Sequence, residues 1–408
     1  MKTGMFLVVF ILVQSVSFSQ QTYIPDTNFE TYLETHDASG APVPVGDPSS
    51  MGNGIANDMY VATANISTVT HLDVNNQNIS DLTGIEDFSS LIQLVCRNNS
   101  LTTLDISQNT SLEDLYCQFN QISSLDTTQN SLLKKLYAYN NYLSSLNVSQ
   151  NTLLTHLVVN SNQITALDVT QNVDLLTLEF HSNQISTIDL TQNTVLVSLK
   201  AGNNSLSSLD LSNNINLGIA QIENNQIATL NLTPSSNFLT LLCENNLLSS
   251  LDLSLFTSFG YLKCHNNLLT SLNVKNGNNV NFSHFDSTNN PNLTCIEVDN
   301  ATWSASNWTN VDSSSTFVNN QAECATLSNQ EFDYDKVDLY PNPAGTTFYV
   351  TVKHKANYEL IGINGQILKT GSLQIGENKV DISNFQSGVY LLKVNDERKI
   401  YTSKVYKR

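Results

Sequence analysis

The sequence is poor in positive charge: 18 Lys and Arg stand against 36 Asp and Glu among 408 residues. Ten of these cations lie within residues 337–408 beside six acidic residues, which gives that segment a net charge of +4. The first 336 residues hold the other 8 cations and 30 acidic residues, a net charge of −22. So acidic a body repels nucleic acid and anionic membranes, and we expect neither as a partner. The shift in composition places a domain boundary near Asp335.

Long apolar runs are missing beyond the first residues. Phe6 to Val13 is a nearly unbroken apolar run that follows Lys2, and Ser17 to Ser19 supplies a small-residue cleavage site. The run is too short to span a bilayer, so residues 1–19 are predicted to be a Sec signal peptide, with a membrane anchor as the alternative. We expect a mature chain that is exported and has no transmembrane segment.

Common catalytic and nucleotide-binding motifs are also missing. The sequence holds no Gly-x-Ser-x-Gly, His-Glu-x-x-His, phosphate loop or GxGxxG, and its seven histidines are scattered. We therefore predict no catalytic residue, no cofactor and no metal site. The alternative is an enzyme acting on polysaccharides, which needs converging acidic groups. Glu179, Glu223 and Glu244 are the acidic residues predicted to face outward for such a role.

The sequence is rich in one pattern, a repeat of 21 residues. The pair Leu104-Asp105 recurs over nine copies without insertion as far as Leu272-Asn273, and an Asn column runs in step from Asn99 to Asn267. The unit Leu-x-apolar-x-x-Asn-x-Leu/Ile-x-x-Leu-Asp/Asn resembles the leucine-rich repeat. Residues 115–117 alternate with period two, which predicts one short strand per unit. We expect a mainly β solenoid of about ten coils with a parallel sheet, and turns, a 3₁₀ segment or a second strand near residues 125–127.

The flanks of the array complete the predicted domains. His71–Leu91 is a 22-residue variant of the unit. Together with Tyr23–His36, a predicted helical cap, it resembles the internalin type of leucine-rich repeat. Pro25-Asp26 opens this helix, and residues 37–58 are rich in Gly, Pro and Ser and predict a loop. The predicted domains are a cap and loop over 20–70, the solenoid over 71–294, a C-terminal cap over 295–324 and a linker over 325–336.

The six cysteines fall into two groups. Four share one inward-pointing column of the repeat and are predicted to be buried free thiols, with a zinc site or disulfides between neighbouring strands as alternatives: Cys96, Cys117, Cys243 and Cys264. Cys295 and Cys324 lie outside the repeat in the terminal cap. Because the chain is expected to be exported, we predict a disulfide between these two.

Two polar columns repeat too strictly to be fitted to a ligand. The Asn column, with Asn120 as its example, is predicted to bond backbone groups that the turn leaves unpaired. The Asp column that begins at Asp105 is interrupted by Asn147 and Asn231. Asp and Asn share an acceptor oxygen and a preference for turns, so this column predicts turn hydrogen bonds, with calcium binding as the alternative.

Binding is predicted where the repeat varies, on the outward, concave face of the strands. Exposed aromatic side chains favour recognition, whereas the alternative is ordinary packing between strands. The candidate ligand contacts are Tyr116, Gln118, Phe119, Tyr137, Tyr139, Glu179 and His181. We expect a non-enzymatic protein that binds a protein or a glycan there; a purely structural spacer is the other possibility.

The last 72 residues are of a different kind. From Val337 onward the chain shows short alternating strands, and Asn364-Gly365 marks a hairpin, which predicts a small antiparallel β-sandwich. The segment resembles the type A C-terminal sorting domain of the type IX secretion system of Bacteroidetes. The residues that carry the resemblance are Pro341, Asn342, Pro343, Gly388, Tyr390, Lys404 and Lys407. The resemblance implies the secretion machinery as a partner and a protein that is released or held at the outer-membrane surface by lipopolysaccharide.

Overall fold

The computed structural model describes residues 20–328, 337–396 and 400–408. The chain divides after Cys324 into two compact units. The predicted signal peptide and most of the predicted linker lie outside the described residues. Within the described part, no helix has the length and apolar character needed to cross a membrane.

The N-terminal cap joins a small sheet to a helix. Strands Gln21–Tyr23 and Tyr60–Ala62 pair antiparallel, and helices span Thr27–Thr35 and Thr63–Ile66. Asp26 caps the longer helix, since one carboxylate oxygen accepts the backbone N–H groups of Asn28 and Phe29 at 3.0 Å. The other oxygen accepts the backbone N–H of Ser80 at 2.7 Å. Asp26 therefore both starts the helix and fixes the cap to the first coil.

The long sheet holds eleven parallel strands in sequence order, one from each coil. The middle residue of each strand points inward and is buried, and the two flanking residues face outward. In the strict array, strand partners lie 21 residues apart, so the repeat length is also the sheet register. The strands are His71–Asp73, Gln93–Val95, Asp114–Tyr116, Lys135–Tyr137, His156–Val158, Thr177–Glu179, Ser198–Lys200, Ile219–Gln221, Thr240–Leu242, Tyr261–Lys263 and His284–Asp286.

The opposite side of the coils changes along the array. Around residues 125–127 the chain forms turns, one of the forms predicted. Later coils form strands there: Ser208–Leu211 pairs with Thr229–Leu232, and a separate sheet joins Ser250–Asp252, Ser271–Asn273, Cys295–Glu297 and Thr316–Val318. Short 3₁₀ helices span Ile85–Asp87 and Asn279–Asn281.

The predicted Asn ladder is confirmed. The amide nitrogen of Asn120 donates to the carbonyl oxygens of Cys117 and Cys96, both at 3.0 Å. Its side-chain oxygen accepts the backbone N–H of Leu101 at 3.0 Å. Because Cys96 and Leu101 belong to the preceding coil, each such Asn fixes two coils together and satisfies buried backbone groups at the turn.

A second Asn column, which we did not predict, lies deeper in the coils. Its members are buried: Asn109, Asn130, Asn151, Asn172, Asn193 and Asn214. The amide of Asn130, for example, donates to the carbonyl oxygens of Asn109 at 2.9 Å and Ile106 at 3.0 Å. The same 21-residue spacing was visible in the sequence, so a search of every column would have found it.

The Asp and Cys columns behave as predicted. Asp105 accepts the backbone N–H of Ser107 at 2.9 Å, and this bond lowers the pKa of the carboxyl group. The same bond recurs along the column, which is therefore a series of turns. The four repeat cysteines are buried and free, and burial raises the pKa of the Cys117 thiol to about 12.

The C-terminal cap closes the open end of the core. Helices span Ala301–Asn307 and Gln321–Ser328. The ring of Trp308 stacks on Phe285 of the last long-sheet strand, with centroids 4.2 Å apart. Cys295 and Cys324 are joined by a disulfide that closes the cap.

The C-terminal unit consists of two antiparallel sheets. One contains Leu339–Tyr340, Thr347–Val352 and Gly376–Asp381, and the other contains Ile367–Leu373, Ala356–Gly362, Gly388–Asn395 and Ile400–Lys407. Phe348, Leu360 and Leu392 are fully buried in its core. The backbone turns at Gly365 with φ of 79°, between two paired strands, as the Asn-Gly pair predicted.

Candidate recognition surface

The outward-pointing side chains of the long sheet and of the turn after each strand form what we term the outer face. Tyr116 and Tyr137 are register partners on neighbouring strands of this face. Their rings stack with centroids 5.0 Å apart and planes 22° apart. Burial and the neighbouring Tyr116 both raise the pKa of Tyr137, so the pair is neutral at physiological pH.

Three more aromatic side chains extend this pair. Phe119 and Tyr139 meet edge to face, with centroids 5.2 Å apart. Phe119 is 47% exposed, and Tyr142, which sequence analysis overlooked, is 55% exposed. In neighbouring coils the Tyr142 position holds Gln, and that contrast was the available signal. We term this set the aromatic patch: Tyr116, Phe119, Tyr137, Tyr139 and Tyr142.

The backbone of Phe119 is left-handed, with φ of 57°. Every equivalent residue from Asn98 to Asn266 has the same conformation and is Asn or Ser. Asn tolerates this region because its short polar side chain bonds locally, whereas a bulky residue there is strained. Phe119 is therefore the one position in this column where the side chain does not suit the turn.

Gln118, another predicted contact, is covered rather than open. The residue is 3% exposed, and its side-chain oxygen has no hydrogen-bond partner among the described residues. Gln118 follows Tyr116 by two positions and precedes Phe119. Its backbone oxygen accepts the N–H of Asn98 in the preceding coil, which places exposed Arg97 alongside.

Charged side chains border the aromatic patch in pairs. Lys135 and Asp114 lie 3.1 Å apart on neighbouring strands, and their hydrogen bond raises the pKa of Lys135. Gln93 donates to the same carboxylate at 3.4 Å. Within the described residues Arg97 has no ion pair, so it is the free cation beside the patch.

Glu179 and His181, the remaining predicted contacts, lie two coils beyond Tyr137. Glu179 forms an ion pair with Lys200 at 2.9 Å. His181 is half-buried, and burial lowers its pKa, so it is neutral at pH 7. The structure thus brings the aromatic residues together and leaves this pair as a separate polar stretch of the outer face.

Further along, Glu223 and Glu244 lie on adjacent coils. The Glu223 side chain lies over Gly202, where an added Cβ would be 2.2 Å from a carboxylate oxygen. Burial, and to a lesser degree Glu244, raises the pKa of Glu223. Across the part of the chain that the structure describes, no cluster of three or more His, Cys, Asp or Glu is arranged to hold a metal ion.

In the C-terminal unit, the motif residues converge on the last strand. Asn342 donates its amide to the carbonyl oxygen of Lys404 at 2.7 Å and accepts the backbone N–H of Tyr406 at 2.8 Å. Gly388 is the register partner of Lys407. Three segments that are far apart in sequence therefore form one structural motif.

Residues 338–408 match the family of the secretion system C-terminal sorting domain. A sorting domain of this type indicates export through the type IX system to the cell surface or the extracellular space.

Comparison with solved structures supports the leucine-rich-repeat fold. An internalin from Listeria monocytogenes aligns with a TM-score of 0.51 and 19% identity, over 73% of this chain and 96% of that chain. The functional domain of InlJ from the same species aligns with a TM-score of 0.44 and 20% identity, over 96% of this chain and 99% of that chain. In sequence, 50 residues are 46% identical to Internalin J of Listeria monocytogenes, which is 12% of this chain and 6% of that protein. The chain thus matches a small fraction of that relative.

Proposed function

We propose that this exported leucine-rich-repeat protein is a non-enzymatic binding protein whose aromatic patch contacts a protein partner, with glycans as the second ligand class. The observation that carries the proposal is the concentration of five aromatic side chains on two neighbouring coils of the outer face. Tyr side chains offer a large apolar area and a polar tip at low entropy cost, and they are enriched in binding hot spots.

The polar border supports the same proposal. Charged residues around the patch are mostly paired with one another, so they do not repel an apolar contact at its centre. An apolar centre with a polar border is the usual anatomy of a protein interface. Export through the sorting domain would place this surface outside the cell, where a partner protein can reach it.

The repeat itself supplies matched substitutions for the test. Val95 and Val158 occupy the Tyr116 and Tyr137 position in the flanking coils, so the double variant Tyr116→Val/Tyr137→Val keeps a residue that the fold accepts. We expect this variant to lose at least about tenfold in affinity on arrays of surface proteins and glycans. Leu176→Ser, which removes exposed apolar area elsewhere, serves as the control. Equal binding by wild type and the double variant would contradict the proposal.

The competing function is cleavage of a polysaccharide by Glu223 and Glu244. The raised pKa of Glu223 is the observation that favours it, since a general acid must hold its proton near neutral pH. Incubation of the purified protein with a polysaccharide panel, followed by measurement of new reducing ends or unsaturated products, distinguishes the two. Product formation that Glu223→Gln abolishes would establish an enzyme.

A further inference from the structure

We propose that the aromatic patch binds an extended protein segment that places an apolar side chain against Phe119 and donates a hydrogen bond to the side-chain oxygen of Gln118. This inference rests on the proposed function and specifies the chemistry of its partner. It is carried by two consecutive residues that are unfavourable in the free fold.

Phe119 is the first of these residues. The left-handed turn after each strand accepts Asn and Ser throughout the array, and Asn98 and Asn140 flank Phe119 in space. A Phe in this conformation is strained, yet its ring remains half-exposed instead of filling the core. The fold therefore gains little from the ring itself, and the strain is explained by a contact made outside the free molecule.

Gln118 is the second. Its side-chain oxygen is buried without a donor among the described residues, and a buried acceptor left unpaired is destabilising. Oxygens of the second Asn column, such as that of Asn172, are also unpaired, but they lie inside the coils beyond the reach of any ligand. Gln118 lies on the outer face, where rotation of its own side chain turns the amide toward a bound molecule.

Together the two residues define the ligand. Phe119 has no polar group, so it favours an apolar side chain, while the Gln118 oxygen requires an N–H or O–H donor. An extended peptide offers apolar side chains and backbone N–H groups at alternating positions. A sugar stacks on the face of an aromatic ring, but Tyr116 and Tyr137 turn one face of each ring toward the other. The observations therefore favour a protein segment over a glycan.

The probe is a phage-displayed library of random twelve-residue peptides, selected on the purified protein, with a glycan array in parallel. Phe119→Asn restores the residue found in both neighbouring coils. We expect it to raise the thermal midpoint by roughly 2–4 °C, because strain is relieved, and to weaken selected peptides by at least about tenfold. Ser161→Asn, the same change at an equivalent position away from the patch, controls for the turn and should leave peptide affinity unchanged.

Gln118→Met keeps the length of the side chain and removes the acceptor. We expect a loss of about tenfold in peptide affinity and a thermal midpoint that is unchanged or higher. The inference is overturned if Phe119→Asn lowers the midpoint, if Gln118→Met leaves affinity unchanged, or if the patch selects glycans and no peptide. Loss of binding in Tyr116→Val/Tyr137→Val alone would then leave the proposed function standing, whereas binding that survives all four patch substitutions would contradict both.

Discussion

Thr127 donates its hydroxyl hydrogen to the side-chain oxygen of Asn151 across 2.8 Å in the buried interior of the coils. Thr127 is the polar member of a column that otherwise holds Ile, Val or Leu, and Asn151 lies 24 residues later. In the described residues the other members of the second Asn column leave this oxygen unpaired. The pair shows how the repeat can satisfy its second Asn column.

That relationship predicts the effect of Val169→Thr, which places a hydroxyl 24 residues before Asn193. Burying a hydroxyl in an apolar site without a partner costs about 1–3 kcal/mol. The unpaired oxygen of Asn193 should offset this cost, so we expect Val169→Thr to stay within about 1 kcal/mol of wild type in urea denaturation. Val274→Thr, in the same column but with Val298 at the corresponding position, is the control and should show the full loss. Equal losses in both variants would contradict the prediction.

The first Asn ladder predicts a larger loss. Asn162 accepts the N–H of Leu143 at 2.9 Å and donates to the carbonyl oxygens of Ala138 and Val159 at 3.0 Å. Because Asn162→Ala leaves these groups unpaired, it should lower the free energy of unfolding by about 1–3 kcal/mol. Gln163→Ala, an exposed neighbour, should change it little. An unchanged thermal midpoint for Asn162→Ala would show that the ladder does not stabilise the fold.

The strict columns were predictable because a fixed period determines which residues share a side of every coil. Asn120, the inward cysteines and the sheet register followed from that period alone. The cover over Gln118 did not follow, because burial at a varying position depends on the sizes of side chains in several coils at once. The strands that begin at Ser208 also escaped prediction, since turn and strand on that side share the same Leu-Asp pattern.

Glu223 predicts a pH dependence of stability. Burial raises its pKa above the ordinary value of 4.5, so the folded state disfavours the ionised form. Stability from this group is complete below pH 4.5 and declines as pH rises through the raised pKa. Glu223→Gln cannot ionise, and we expect it to be more stable than wild type at pH 7, with the difference vanishing below pH 4.5. Denaturant titrations of both proteins from pH 3.5 to 8 measure this, with Glu113→Gln as the exposed control.

The cysteines predict a clear chemical pattern. The repeat thiols are buried, and their raised pKa values keep them protonated, so iodoacetamide should label none of them in the native protein and all four after unfolding. Peptide mapping without reduction should show Cys295 joined to Cys324. Replacing both by Ser should cost about 2–4 kcal/mol, because the link closes a loop of 29 residues in the unfolded chain. A free Cys295 peptide would contradict this pattern.

Asn342 predicts a link between stability and export. It bridges the first segment of the sorting domain to the last strand through Lys404 and Tyr406, so Asn342→Ala should lower the stability of the domain by about 1–2 kcal/mol. We expect reduced surface display of the full-length protein in whole-cell labelling, and periplasmic retention when residues 337–408 are deleted. Asn357→Ala, exposed on the same unit, should be displayed normally. Normal display of the deletion would refute the role of the domain in export, whereas normal display of Asn342→Ala alone would show that the bridge is dispensable for export.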